Sequence, residues 1–240
     1  MSSVRMDDSR ETILSRVREA LQRPAPPPHL ESHALDPAPT GGLPVLPLAA
    51  ARPWLPDGGE TPHESLRILG ENLGRLRAEF QRLPSLSAAA ACLGTLARDR
   101  GWKRIALHGH PLVEAAVREV PCDGYRVDAG GFDKDALEGC DAGVTACEAL
   151  VAQTGSVLVS SATCGGRALS VLPHVHVVVA TADQVVPTLA DALAAARGRH
   201  GGRLPSMLSF ITGPSRTGDI ERILVLGAHG PKELLVMLIG

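Results

Sequence analysis

KRIALHGHPLVEAAVREVPCDGYRVD, residues 103–128, decides the fold. The apolar run at Ile105, Ala106 and Leu107 reads as a short buried strand that stops at Gly109, where the chain can turn tightly. Pro111 then stands at the first position of a helix, where its fixed φ is favourable and its missing N–H costs nothing. PLVEAAVREV supplies that helix, and YRVD at 125–128 reads as the next strand. Strand, turn, helix, strand is the pattern of a parallel α/β sheet flanked by helices.

Composition agrees. Hydrophobic residues make up 44%, yet the chain has one Tyr, two Trp and three Phe, so Leu, Val, Ala and Ile must fill the core. Twenty-four Lys and Arg stand against 26 Asp and Glu. No basic field invites nucleic acid, no polybasic tail invites a membrane, and scarce aromatics offer no stacking platform for single strands. Neither a membrane-length apolar run nor a signal-peptide core is present, so a cytoplasmic location is expected. The five cysteines, Cys92, Cys122, Cys140, Cys147 and Cys164, form no CxxC pair. They read as small buried hydrophobes, and neither a disulfide framework, a zinc site nor an iron–sulfur site in this chain is expected.

Toward the N-terminus, SLRILGENLGRLRAEFQRL places Leu66, Leu69, Leu73, Leu76 and Phe80 at steps of three and four, which predicts one long helix. A second helix, capped by Ser85 or Ser87, is expected to run to Gly101. Upstream, residues 8–22 predict an amphipathic helix with Ile13, Val17 and Leu21 on one face and Ser9 as its cap. Residues 23–62 form a proline-rich arm. Its apolar Leu43, Val45, Leu46, Leu48, Trp54 and Leu55 predict docking on its own domain or on a second subunit. The compact domain is expected over residues 63–240.

Toward the C-terminus, GVTA, ALVA and SVLVS follow one another with little room for helices, which predicts a β-hairpin or meander excursion. HVHVVVAT reads as a strand, DQVVPTLADALAAARGR as a helix ending near Gly198, and SMLSFITG as a strand. ERILVLGAHG and KELLVMLI close the chain as two more strands. No repeat of solenoid length is present.

Three clusters carry candidate chemistry. In ITGPSRTGDIE, residues 211–221, Gly213 permits close backbone approach, Ser215 and Thr217 offer hydroxyls, and Arg216 can grip a carboxylate or phosphate. A crevice at the carboxyl ends of sheet strands would place such a loop on an anion; otherwise GPS is a turn rigidified by an Asp219–Arg216 pair. In residues 152–173, Thr154, Gly155 and Ser156 form a hydroxyl–glycine–hydroxyl turn, followed by Cys164, Gly165, Gly166 and Arg167. That segment suits an oxyanion, or is a tight hairpin and a glycine loop. Cys164 would be reactive only if exposed beside Arg167. In GAHGPKEL, His229 and Gly230 sit in a turn where the imidazole can serve as acid, base or carboxylate clamp. The pairs His108/His110 and His174/His176 lack an obvious third ligand, so no metal site is expected. No Walker A, GxGxxG or GxSxG motif occurs.

Read in order, these clusters resemble the LUD domain of the lactate utilization proteins, those of the C type above all, over roughly residues 65–240. ITGPSRTGDIE and LVLGAHGPKELLVMLI are similar to that family's closing motifs, and GRALSVLPHVHVVV to its middle segment, matched at Arg167, Ser170, Pro173 and His176. The sequence departs where the family often has Ala-Glu-Thr-Gly-Thr: here Gln153 replaces the acid and Ser156 the threonine. The resemblance implies a fold similar to the glucosamine-phosphate isomerase, ribose-phosphate isomerase and coenzyme A transferase group. It also implies a non-redox subunit of an L-lactate oxidation system, without a cofactor of its own, whose partner subunits carry the iron–sulfur clusters. Thr154, Gly155, Ser156, Arg167, Gly213, Ser215, Arg216, Thr217, His229 and Gly230 are then the candidates for holding a small anion, with His229 and Asp219 the candidates for acid–base work. An independent isomerase or acyl-transfer enzyme, or a scaffold, are the competing readings. Convergence of Arg167, Thr154, Arg216 and His229 on one cleft would favour the anion site.

Overall fold

The computed structural model describes residues 55–129, 133–217, 225–226 and 230–240, with single positions between 12 and 22. Of the N-terminal helix, Thr12, Leu14–Arg16, Arg18 and Glu19 are helical. Ile13, Val17, Leu21 and the proline-rich arm through Trp54 lie outside the described residues. The unit from Leu55 to Gly240 is compact by itself.

The expected single helix over residues 65–83 is instead a helix and a strand. Helix α1 spans Pro62–Arg75, started by a capping box in which Thr61 and Glu64 satisfy each other's backbone donors. Arg77 then takes a φ of 60°, the left-handed conformation that ends helices, and Glu79–Leu83 continues as strand β1. Helix α2, Leu86–Asp99, is capped by Ser85, whose hydroxyl accepts from Ala88 N. Strand β2 is Arg104–Leu107, helix α3 Pro111–Ala116 and strand β3 Asp123–Arg126, the unit predicted from residues 103–128.

Helix α4 follows at Lys134–Glu138, then β4 at Ala142–Thr145, β5 at Ala149–Val151 and β6 at Ser156–Ser160. β7 is Val175–Thr181 and β8 Val185–Val186. The helix expected from Asp183 begins only after Pro187: α5 spans Leu189–Arg199, with Thr188 and Asp191 forming its capping box. β9 is Leu208–Ile211, β10 Arg216–Thr217, β11 Val225–Leu226 and β12 Glu233–Ile239.

Six strands in the order β1-β12-β7-β4-β2-β3 make the main sheet, and each neighbouring pair is parallel. A second sheet, β8-β5-β6-β9, contains the antiparallel β5–β6 hairpin. GVTA was expected in that excursion but pairs as β4 inside the main sheet. Burial follows the period of two along the strands. Val175, Val177, Val179, Leu235 and Met237 face α2 and α3. Val178, Ala180, Leu234, Val236 and Leu238 face α1 and the hairpin. Ala192 and Ala196 of α5 cover the far side of the second sheet. Among the described residues no helix is long and apolar enough to cross a membrane.

Candidate functional site

The chain leaves β2 for β3 on one side and returns to β4 on the other. Strand order therefore reverses between β2 and β4, and the crevice outside their carboxyl ends is where ligands of open α/β sheets bind. Here the two ends are tied together: Ala146 N donates to His108 Nε2 at 3.3 Å. The neutral His108 ring then carries its proton on Nδ1. Burial is the first cause that holds its pKa down at about 4, with His110 adding to it.

Glu148, two residues beyond that tie, is only 1% exposed. Glutamate is almost never fully buried unless paired, and four groups meet the carboxylate of this one. Ser160 Oγ donates at 2.7 Å, Thr163 Oγ1 and Arg199 Nη1 also donate, and His200 Nε2 lies at 2.9 Å. The Glu148 backbone N–H donates to Leu158 O at 2.7 Å, anchoring the residue at the mouth of the hairpin. Burial alone would push the carboxyl up, but hydrogen bonds from Thr163, Ser160, His200 and Arg199 outweigh it and hold the pKa at about 2. A carboxylate so saturated with donors is a weak base and a weak nucleophile. Its role is to fix Arg199, delivered by the last turn of α5, where a cation also suits the helix dipole.

A cavity of about 510 Å³ opens at this point, lined among others by His110, Glu148, Thr163, Thr181, Asp183 and Arg199. None of these six was singled out for a site from the sequence except His110, which was weighed only as half of a metal pair. The available signal was a lone acid inside the apolar run TACEALVA.

The sequence clusters are placed elsewhere and in part together. Thr154 Oγ1 and Ser156 Oγ are 2.7 Å apart, and Ser156 Oγ lies 2.8 Å from Thr212 Oγ1, so two of the predicted loops share one hydroxyl chain. A Cβ on Gly155 would meet Asn72, and one on Gly213 would meet Leu76, so both turns sit on the end of α1. Ser215 N donates to Pro231 O at 2.9 Å and packs beside Gly230, which adds the third cluster. Pro231 lies two residues before β12, so this assembly stands at the amino end of a main-sheet strand, opposite the edge expected for the GPS loop. The reason is that β9 belongs to the second sheet and runs antiparallel to β6.

Arg167 does not join them. It follows Gly165, which packs on His108, whereas Thr154 precedes β6, so the two lie beyond opposite ends of that strand in the sequence. Cys164, 1% exposed and with a pKa raised by burial, is no reactive thiol. The side chains of Arg216 and Thr217, and Asp219 and His229 entirely, lie outside the described residues.

The model of the LUD domain matches residues 114–239, more than half of the chain. This chain belongs to the LUD domain family. Lactate utilization protein C of Geobacillus kaustophilus is 26% identical over 198 residues, 78% of this chain and 82% of that protein. Those of Bacillus subtilis and Deinococcus radiodurans are 32% and 37% identical, and there the match spans only 57% and 49% of the relative. A crystal structure of a DUF162 family protein from Deinococcus radiodurans superposes with a TM-score of 0.60 at 24% identity, over 76% of this chain and 100% of that one. It supports the fold.

Within this LUD domain, His176 of the middle motif is 1% exposed, and its Nε2 lies 2.9 Å from Thr145 Oγ1. Its Nδ1 is the buried side-chain polar atom left without a partner among the described residues. Burial holds its pKa down at about 4, so the ring is neutral, with Nε2 bonded to the Thr145 hydroxyl and Nδ1 unengaged. Among the described residues no group of three or more His, Cys, Asp or Glu is placed to hold a metal ion. Gln153, at the departure from the family pattern, donates through Nε2 to Pro56 O at 2.8 Å. It pins the segment leading into α1. Gln153→Glu would set a carboxylate against that carbonyl, and a loss of about 1–3 kcal/mol in urea unfolding is expected; unchanged stability would show that the contact contributes nothing.

Proposed function

We propose that this protein serves in lactate utilization as a subunit that binds a small organic anion and carries no redox centre of its own. Kinship with proteins named lactate utilization protein C supports the pathway. Oxidation of L-lactate to pyruvate releases electrons, and the sequence has no cysteine run to hold a cluster that would take them. Iron–sulfur partner subunits are the acceptors this reading requires.

The observation that carries the anion site is Arg199. Its Nη1 is occupied by Glu148, while its side chain is 43% exposed and lines the switch-point cavity. A guanidinium held in place and still open to solvent is a ready partner for a carboxylate. His110 adds a second donor: its Nδ1 accepts from Leu112 N at 3.2 Å, so the neutral ring carries its proton on Nε2.

A second anion position is favoured by the hydroxyl chain of Thr154, Ser156 and Thr212. There Gly213, Ser215, Arg216, Thr217, His229 and Gly230 would complete the glycine-rich loop site. The pathway reading is tested in the source cell. Deleting the gene is expected to abolish growth on L-lactate as sole carbon source, with growth restored by the wild-type gene; undiminished growth would overturn the assignment.

A further inference from the structure

The switch-point cavity offers donors and an acceptor that no hydrogen bond among the described residues uses. Arg199 keeps its Nε and Nη2 donors without a protein partner among the described residues, since both hydrogen bonds of its guanidinium, to the Glu148 carboxylate and to Glu148 O at 3.0 Å, leave from Nη1. His110 Nε2–H stands with it on the cavity wall. The acceptor is Asp183, in the 3-10 turn Ala182–Gln184 that follows β7. Its neighbours in that turn are engaged: Gln184 Nε2 donates to Cys147 O at 2.6 Å, and Gln184 Oε1 accepts from Thr181 N at 2.9 Å. Asp183 is exposed and has no hydrogen bond or ion pair among the described residues. It lines the same cavity as Arg199.

A small acid that satisfies both kinds of group brings its carboxylate to the Arg199 and His110 donors and a hydrogen-bond donor, such as a hydroxyl, to Asp183. We propose that this cavity selects a small hydroxy acid over the matching keto acid, with Arg199 and His110 taking the carboxylate and Asp183 accepting the hydroxyl hydrogen. The inference rests on the reading above that the cavity is the anion site. A hydroxyl donates to an ionised carboxylate; a ketone has only lone pairs to turn toward it, and the two oxygens repel. Sites built to hydrogen-bond a substrate hydroxyl reject the analogue that lacks it, here by less than in a sealed pocket because Asp183 is exposed. Glu148 does not substitute for Asp183, because it is buried and already accepts from Ser160, Thr163, Arg199 and His200.

Calorimetric titration of the full chain with L-lactate, pyruvate and propionate, repeated with Asp183→Asn, tests it. Asp183 has no partner to lose among the described residues, so the variant is expected to fold as the wild type does, which circular dichroism checks. Wild type is expected to bind L-lactate at least about tenfold more tightly than pyruvate or propionate, the ratio worth one hydrogen bond to a charged group. In Asp183→Asn, whose amide can both accept and donate, the lactate-to-pyruvate ratio is expected to fall toward one. Equal affinities in wild type, or a preference that Asp183→Asn leaves intact, overturn the selection and leave the anion site standing. Absence of saturable binding by any of the three acids overturns the anion site and the selection with it.

Discussion

Glu148→Gln is expected to lower stability by about 3 kcal/mol, the size of the gap between an ordinary glutamate at 4.5 and one held at about 2. The amide keeps the shape and still accepts from Ser160 and Thr163. It also turns an NH2 toward the Arg199 guanidinium, so donors face donors at a buried point, which removes a charge-assisted pair without replacing it. For a domain of this size that corresponds to a fall in Tm of about 6–12 °C. The pH dependence identifies the cause. Because the folded pKa is depressed, the contribution of Glu148 is complete above about 4.5 and is lost as pH falls toward about 2. His108 and His176, both held near 4 against an ordinary 6.5, are neutral in the folded state. The unfolded chain takes up their protons first, so they remove stability over the higher window, from about 6.5 down to about 4. Urea unfolding at pH 7, 5 and 3 should therefore show both losses in wild type and only the histidine loss in Glu148→Gln. Parallel pH profiles for the two proteins would mean that the carboxylate is not held as described.

Gly143→Ala is expected to cost about 3 kcal/mol, although it adds a single methyl group. Gly143 lies in β4, between His176 of β7 and the end of β2. A Cβ there would fall inside the van der Waals envelope of the Leu169 carbonyl oxygen and 3.0 Å from Pro173 Cγ. Leu169 belongs to the 3-10 turn Ala168–Ser170, packed over β4, and a backbone oxygen in such a turn cannot swing aside as a side chain would. Relief has to come from shifting the turn, and with it Gly165 and its contact on His108 at the switch point. Gly198→Ala is the matched comparison: it lies in α5 with open space around its Cα. That change is expected to raise stability by up to about 1 kcal/mol through helix propensity. Equal effects of the two substitutions would contradict the packing of the turn on β4.

The inner strands of the sheet were legible because they are short, largely apolar and separated by glycine, proline and capping signals. Residues 103–128 fold in the order read, although the helix ends at Ala116 rather than Val120 and the strand runs over Asp123–Arg126 rather than Tyr125–Asp128, and KELLVMLI forms β12. Strand β1 was hidden because Leu73, Leu76 and Phe80 keep helical spacing across the break. The break itself is carried by Arg77 in a left-handed conformation, where glycine or asparagine would have announced it. The late start of α5 was signalled by Pro187 followed by the Thr188 and Asp191 pair, outweighed by the apolar run before it. Glu148 was not legible as a site because its partners are 12 to 52 residues away and meet only through the hairpin and the end of α5. The hydroxyl–glycine turns were legible as local chemistry, and the antiparallel course of β9 decides which edge of the main sheet they occupy.

The most direct measurement is a crystal structure of the full chain soaked in L-lactate. Density for the carboxylate against Arg199 and His110, with the hydroxyl toward Asp183, is the expected result. Density confined to the turn at Gly213–Thr217, or an empty switch-point cavity at saturating L-lactate, would contradict it.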